Sequence, residues 1–168
     1  MNKMLLLPML LLTIVACTKK EEPTSFTEEA LQDKMTYIDG TEMSFKDVLN
    51  QYEGKVIVID VWASWCPDCI KGMSKVKALQ EQFPEVAYLF LSYDKTPDAW
   101  KTGIDKYDVR GEHYFLGHDE YKNGAFRNSI ELDWIPRYLV VDKERNIAMY
   151  YAKEADDEKI INTLNKLK

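Results

Sequence analysis

The sequence is short of the residues that build dense covalent or metal-bound scaffolds. Among 168 residues there are three cysteines and two histidines. Three cysteines cannot form a multi-disulfide framework. His113 and His118 could join Cys66 and Cys69 in a four-ligand zinc set, but both lie far down the chain from the cysteines, so compact finger spacing is absent. Positive charge is also in deficit, with 22 Lys and Arg against 28 Asp and Glu and a formal net charge of −6. No basic patch with interleaved aromatics occurs, which argues against a nucleic-acid surface, because phosphate contacts need clustered positive charge. There is no internal repeat. What remains is a length that favours one domain and a charged fraction of 30%, which suits a soluble globular surface.

The beginning differs from everything after it. Met1–Asn2–Lys3 is short and positive, and Met4 to Ala16 is apolar apart from Thr13. That stretch is too short for an ordinary membrane-spanning helix and has the length of a signal-peptide core. It ends at Ile14–Val15–Ala16–Cys17 and gives way to polar Thr18–Lys19–Lys20–Glu21–Glu22–Pro23. The small residue before Cys17 resembles the cleavage motif of bacterial lipoproteins, a family in which that cysteine becomes the first mature residue and carries lipid. The other reading is an ordinary secretory signal with a cysteine near its cleavage point. The resemblance implies a signal peptide over 1–16, a lipidated tether and short linker over 17–33, and a folded domain over 34–168. Several acyl chains on Cys17 would hold such a domain on a lipid bilayer, whereas one chain binds only marginally. The expected location is the bacterial cell envelope, with the choice of membrane left open.

Along the folded part, Lys34 to Ile38 reads as a strand, and Ser44 as the cap of a short helix from Phe45 to Leu49. Val56 to Trp62 is an almost continuous apolar, β-branched run, as expected of a central strand covered on both faces. Ile70, Met73, Val76, Leu79 and Phe83 recur at helical spacing after Pro67, which suits a first helical position. Val86–Leu91 predicts a second buried strand, and Thr96–Pro97 opens a helix towards Lys106. Val109 to Glu131 is less periodic and reads as loops with a short helical segment at Phe126–Ile130. Tyr138–Val141 and Ile147–Tyr151 predict a hairpin, followed by a helix with Ile160, Ile161, Leu164 and Leu167 on its apolar face. This order predicts an α/β fold, a mixed sheet covered by helices.

Trp65–Cys66–Pro67–Asp68–Cys69 falls between the strongest strand and an amphipathic helix. The first cysteine is then expected at a helix N-terminus, where unpaired amide dipoles favour a thiolate. The second lies within the first turn, close enough to exchange a disulfide with it, and Pro67 leaves Cys66 near the exposed end. Cys66 would attack a partner disulfide and Cys69 would resolve the mixed disulfide. A permanent structural bridge is the competing reading, but it would close only a tiny loop and stabilise little.

Val58 to Cys69 resembles the active-site segment of thioredoxin-like proteins, and the longer organisation resembles the TlpA/ResA/DsbE branch of exported, membrane-associated disulfide reductases. Ser92–Tyr93–Asp94 and Trp134–Ile135–Pro136–Arg137 add to the likeness, which covers about residues 34–168. It implies a thioredoxin-like mixed β-sheet flanked by helices, with an N-terminal β extension and a central insertion. It also implies that Pro136 is a cis-proline beside the dithiol and that the Ile135 backbone faces the client. Asp60 takes the position of a buried acid behind the second cysteine, and burial would raise its proton affinity and suit it to accept the Cys69 proton. A structural carboxylate joined to water or a lysine is the alternative. Trp65 is expected to shield the dithiol and Trp62 to pack nearby. Asp68 departs from the many close motifs that carry proline before the second cysteine, and its negative charge opposes a thiolate beside it.

The reaction implied is reduction of disulfides in envelope proteins, with no metal, flavin or nicotinamide cofactor required. Electrons would come from a membrane redox protein. A disulfide oxidase or isomerase using the same cysteines, and a non-catalytic protein-binding module of the same fold, are the alternatives.

Overall fold

In the computed structural model, which describes residues 21–168, the organising element is β3 (Ile57–Trp62), every residue of which is buried. Burial on both faces explains its apolar run, since neither side of the strand meets water. One flank of β3 pairs in parallel with β4 (Ala87–Ser92), and the other pairs antiparallel with β6 (Arg137–Val141). The seven-stranded sheet runs β2–β1–β5–β4–β3–β6–β7, with β1 at Lys34–Tyr37, β2 at Glu42–Ser44, β5 at Glu112–Phe115 and β7 at Ile147–Ala152. This is the thioredoxin-like α/β topology with an N-terminal β extension and an inserted segment. Residues 1–16 and Cys17, expected to be signal peptide and lipid site, lie outside the described residues.

Local chemistry sets the helix starts. Ser44 caps α2 (Phe45–Asn50) by accepting from the Asp47 amide at 3.1 Å, and Thr96 caps α4 (Pro97–Tyr107) through the Ala99 amide at 3.2 Å. Pro67 opens α3 (Pro67–Gln82), where its missing N–H costs nothing. The N-terminal helix α1 (Glu28–Gln32) is held by rings: Phe26 meets Phe45 at 4.8 Å and Phe126 at 6.0 Å between centroids. Phe126 belongs to α6 (Ala125–Ser129), which follows the single turn α5 (Glu120–Asn123). The C-terminal helix α7 (Glu158–Leu167) buries Ile160 and Leu164. No helix among the described residues is long and apolar enough to cross a membrane.

Two strands depart from the sequence expectation. Glu42 and Met43 were given no element and Ser44 only the role of a helix cap, and Glu112–Phe115 was expected to be loop. Both are sheet strands because neighbours complete their hydrogen bonding: β2 lies on β1, and β5 is sandwiched between β4 and β1. His113, on β5, is buried, with Nε2 2.9 Å from the Val109 carbonyl oxygen and its ring stacked on Phe90.

Register decides which side chains share a face, because directly opposed residues point the same way. Tyr138, Asp60, Phe90 and His113 stand in one cross-strand row. The Tyr138 hydroxyl lies beside Gly72 of α3, so this row faces the helix that carries the cysteines.

Candidate active site

The site is built where β3 ends and α3 begins. Cys66 is the N-cap of α3, its Sγ 3.1 Å from the Cys69 amide, and it forms a disulfide with Cys69 across a Cα–Cα distance of 5.3 Å. When the bond is reduced, that amide and the helix N-terminus favour negative charge on the Cys66 sulfur. Cys66 was expected near the exposed end of the turn. It is instead only 4% exposed, because Trp65 precedes it and the Ile135 carbonyl oxygen lies 3.5 Å from its sulfur. That contact can become a hydrogen bond only in the thiol form, when Sγ has a proton to donate.

The segment carrying Ile135 comes from the turn before β6. The Ile135–Pro136 peptide is cis, as the family resemblance implies. Arg137, next in sequence and fully buried, donates to the Ile130 carbonyl at 3.1 Å and to Asp133. Its guanidinium lies 3.8 Å from the Tyr151 ring centroid. These contacts tie both ends of the 130–137 turn to the hairpin behind it. Among the described residues, Trp134, at the tip, and Trp65 are the two large apolar side chains that stand exposed, at 51% and 42%.

The other wall of the site is fixed by Asp94, buried after β4. Its carboxylate accepts from the Ser64 amide at 3.1 Å, the Ser64 hydroxyl at 2.6 Å and the Ser92 hydroxyl at 2.8 Å. The Trp65 indole N–H donates to the Tyr93 carbonyl at 3.3 Å. Gly103 of α4 sits under the same loop: a Cβ there would fall 2.4 Å from the Ser64 Cβ, so only glycine lets the helix approach. The inserted segment closes the far side, with His118 and Tyr121 edge-on to Trp65 at 6.3 and 6.0 Å. Asp94→Ala is expected to destabilise the fold by about 2 kcal/mol, since buried donors lose a charged acceptor. Chemical unfolding followed through tryptophan fluorescence measures both that loss and the loosening of Trp65.

Asp60 lies in the middle of β3, with 2% of its surface exposed and neither carboxylate oxygen hydrogen-bonded in good geometry among the described residues. Burial pushes its pKa up to about 7, partly opposed by the Tyr138 hydroxyl. Burial, then the Asp60 charge, pushes Tyr138 well above the ordinary tyrosine range. Trp62 is fully buried, whereas Asp68 is exposed, with Lys71 3.8 Å away. The expected site residues thus divide by position. Cys66, Cys69, Trp65, Pro67, Ile135 and Pro136 surround the disulfide, and Asp60 lies in the sheet on the α3 side. The sequence reading gave no role to Tyr138 or Tyr121 at the site, and it weighed His118 only as a zinc ligand, not as a ring packed against Trp65. Their places depend on strand register and on the fold of the insertion, which neither periodicity nor motif spacing carries.

A family model described as thioredoxin-like matches residues 54–147, more than half of the sequence and all of the β3–Cys66–α3 unit. The chain belongs to the thioredoxin-like family. Among curated relatives of this thioredoxin-like chain is the thiol-disulfide oxidoreductase ResA of Bacillus thuringiensis subsp. konkukian. It is 25% identical over 150 residues, which are 88% of this chain and 82% of the relative. The solved thioredoxin domain of a thiol-disulfide oxidoreductase from Bacteroides vulgatus superposes with a TM-score of 0.69 at 20% identity, over 89% of this chain and 100% of that one, a likeness of fold. A second Bacteroides vulgatus protein, a candidate thiol-disulfide oxidoreductase solved in solution, gives 0.63 at 28% identity, over 79% and 86% of the two chains. The vicinal disulfide and this distant kinship together support a redox-active thioredoxin-like enzyme.

Proposed function

We propose that the protein is a thiol-disulfide oxidoreductase of the bacterial cell envelope that reduces disulfides in exported proteins. The observation that carries this reading is the Cys66–Cys69 disulfide at the start of α3, with the Ile135 carbonyl against its first sulfur and exposed tryptophans on either side. Lipidation of Cys17 would hold residues 34–168 at a membrane surface, and a membrane redox protein would return two electrons to the spent disulfide.

In the forward direction the reduced Cys66 thiolate attacks a client disulfide. A bond forms between Cys66 and one client sulfur, and the other client sulfur leaves with the electron pair. Asp60 takes the proton of Cys69, whose thiolate then attacks Cys66 and expels the second client sulfur. The client gains two electrons and the protein returns to its disulfide. A carboxyl whose pKa is near 7 can hold that proton and release it again at neutral pH. Trp65, Pro67, Ile135 and Pro136 would contact the client, with the Ile135 backbone free to meet an extended segment around its cysteine.

Cys69→Ser should leave Cys66 able to attack but remove the resolving thiol, so clients accumulate as mixed disulfides with the variant. The redox potential of the wild type, measured against glutathione, sets the direction. Trapped clients together with a reducing potential support the reading, and a strongly oxidising potential would assign the same site to an oxidase. Two thiols that stay inert towards disulfides in the folded protein would overturn both.

A further inference from the structure

Asp60 is a buried carboxyl in an apolar strand, and the usual ways of stabilising such a group are missing around it. No lysine or arginine ion pair to it exists among the described residues, and neither oxygen has a well-aligned donor. Among the described residues, the one polar side chain that acts on it is Tyr138, its directly opposed neighbour on β6. Direct opposition across an antiparallel pair brings the two side chains together on the α3 face of the sheet. Both are almost completely buried, at 2% and 1% exposure.

The outer end of Tyr138 is as informative as its inner end. Its hydroxyl sits 3.6 Å from where a Cβ would stand on Gly72, the only glycine of α3, placed three residues after Cys69. On its other side Gly72 lines a surface cavity of about 350 Å³ together with Lys75, Trp134 and Glu154. The hydroxyl therefore lies between the buried carboxyl and the thinnest part of the helix that holds the resolving cysteine. With an alanine in place of Gly72, a methyl group would occupy the gap.

We propose that Tyr138 is a positioning residue for Asp60: its hydroxyl donates to the carboxylate formed before each resolution step and sets the pH at which Asp60 can accept the Cys69 proton. The proposal rests on the reading of Asp60 as that acceptor. Register fixes the Tyr138 backbone opposite Asp60, in a central strand with all five residues buried. A donor held against the carboxylate opposes the effect of burial. The other charges around the pair come from three elements. Glu154 and Asp156, beyond β7, act on Tyr138, and both are neutralised by Lys75 of α3 at 2.9 and 3.0 Å. Asp68 and Lys71 of α3 face each other at the surface. His113 stands at the end of the row beyond Phe90, and burial keeps its pKa below the usual histidine range.

The test follows the reduced full-length protein reacting with 5,5′-dithiobis(2-nitrobenzoate), in which the second release of thionitrobenzoate reports attack by Cys69. An infrared titration of the Asp60 carboxyl, identified as the band lost in Asp60→Asn, is run beside it. In Tyr138→Phe the midpoint of both profiles should rise by about one pH unit, the low end of what a hydrogen bond to a charged group supplies. At pH 7 the second release should then slow about fivefold, with the rate at high pH retained. A Tyr138→Phe midpoint equal to wild type, while Asp60→Asn abolishes the inflection, overturns the inference and leaves the Asp60 reading intact. If Asp60→Asn instead keeps the wild-type release profile, the acceptor reading fails, and the infrared midpoint alone decides whether Tyr138 tunes the carboxyl. Should Tyr138→Phe not fold, 3-fluorotyrosine placed at position 138 is used. Its more acidic hydroxyl is a stronger donor in nearly the same shape and should lower the infrared midpoint of Asp60, so an unmoved midpoint there overturns the inference equally.

Discussion

Asp60→Asn should stabilise the fold by about 4 kcal/mol at pH 8 and leave it nearly unchanged at pH 4. Burial raises the folded pKa of Asp60 from the ordinary 3.8 to about 7. Below 3.8 the carboxyl is neutral in both folded and unfolded chains, and no penalty exists. Between the two values the unfolded chain gives up its proton while the folded one keeps it, so wild-type stability falls as pH rises. Above 7 both are ionised, and the full cost of holding a carboxylate in the sheet is present, about 1.4 kcal/mol for each pH unit between the two values. Asparagine keeps the shape and cannot ionise. Urea unfolding of wild type and variant across pH 4 to 8 should give curves that meet at the acid end and diverge towards neutrality. At the alkaline end the melting temperatures should differ by about 10 °C. Parallel curves would mean that the carboxyl is hydrated in the folded state. A carboxyl that costs this much stability at neutral pH adds nothing to packing that asparagine would not, which fits a working group better than a packing one.

The second large effect concerns the turn that holds Ile135. Asp133→Ala should destabilise by about 3 kcal/mol, whereas Arg137→Met should cost about 1 kcal/mol. The asymmetry follows from burial. The Arg137 side chain is 0% exposed, while its partner Asp133 is 56% exposed. Burial pushes the Asp133 carboxyl up, but the Arg137 charge, hydrogen bonds from its own backbone amide and the Tyr151 hydroxyl, and the Lys153 charge together hold the pKa below the usual carboxylate range. Removing the acid leaves a buried guanidinium with the Ile130 carbonyl and the Tyr150 and Tyr151 rings for company. Removing the arginine instead leaves a carboxylate that water already reaches, with the Tyr151 hydroxyl at 3.2 Å still donating to it. The Ile130 carbonyl would keep the Tyr150 hydroxyl at 2.6 Å. Unfolding free energies of the two variants at neutral pH decide the order; equal losses would show that packing of the arginine stem dominates over its charge.

These contrasts show what the sequence carries and what it does not. β3, β4 and β6 were legible because burial on both faces forces apolar, β-branched runs. α3 was legible because one face must be apolar while the other meets water. The cysteine pair was legible because its chemistry depends on spacing and on the strand–helix junction, both of which are local. β5 was not, since Glu112–His113–Tyr114–Phe115 has neither an apolar run nor clean alternation, and it becomes a strand by lying between β4 and β1. The burial of Cys66 was missed for a similar reason: the atom that covers it belongs to Ile135, brought in from the far side of the chain. The Asp60–Tyr138 opposition needs the register of two strands distant in sequence, which no pattern within either strand specifies.

Because β3 lies between β4 and β6, it has only one sheet neighbour until residues 137–141 have been made. A chain synthesised from its N-terminus passes through a stage in which the opposite edge of its most apolar strand is bare, with the dithiol helix already encoded but the Ile135 turn still to come. Such an edge is a template for pairing with other chains. Residues 130–141 therefore act towards the chain made before them as a built-in chaperone, covering both an adhesive strand and a reactive sulfur.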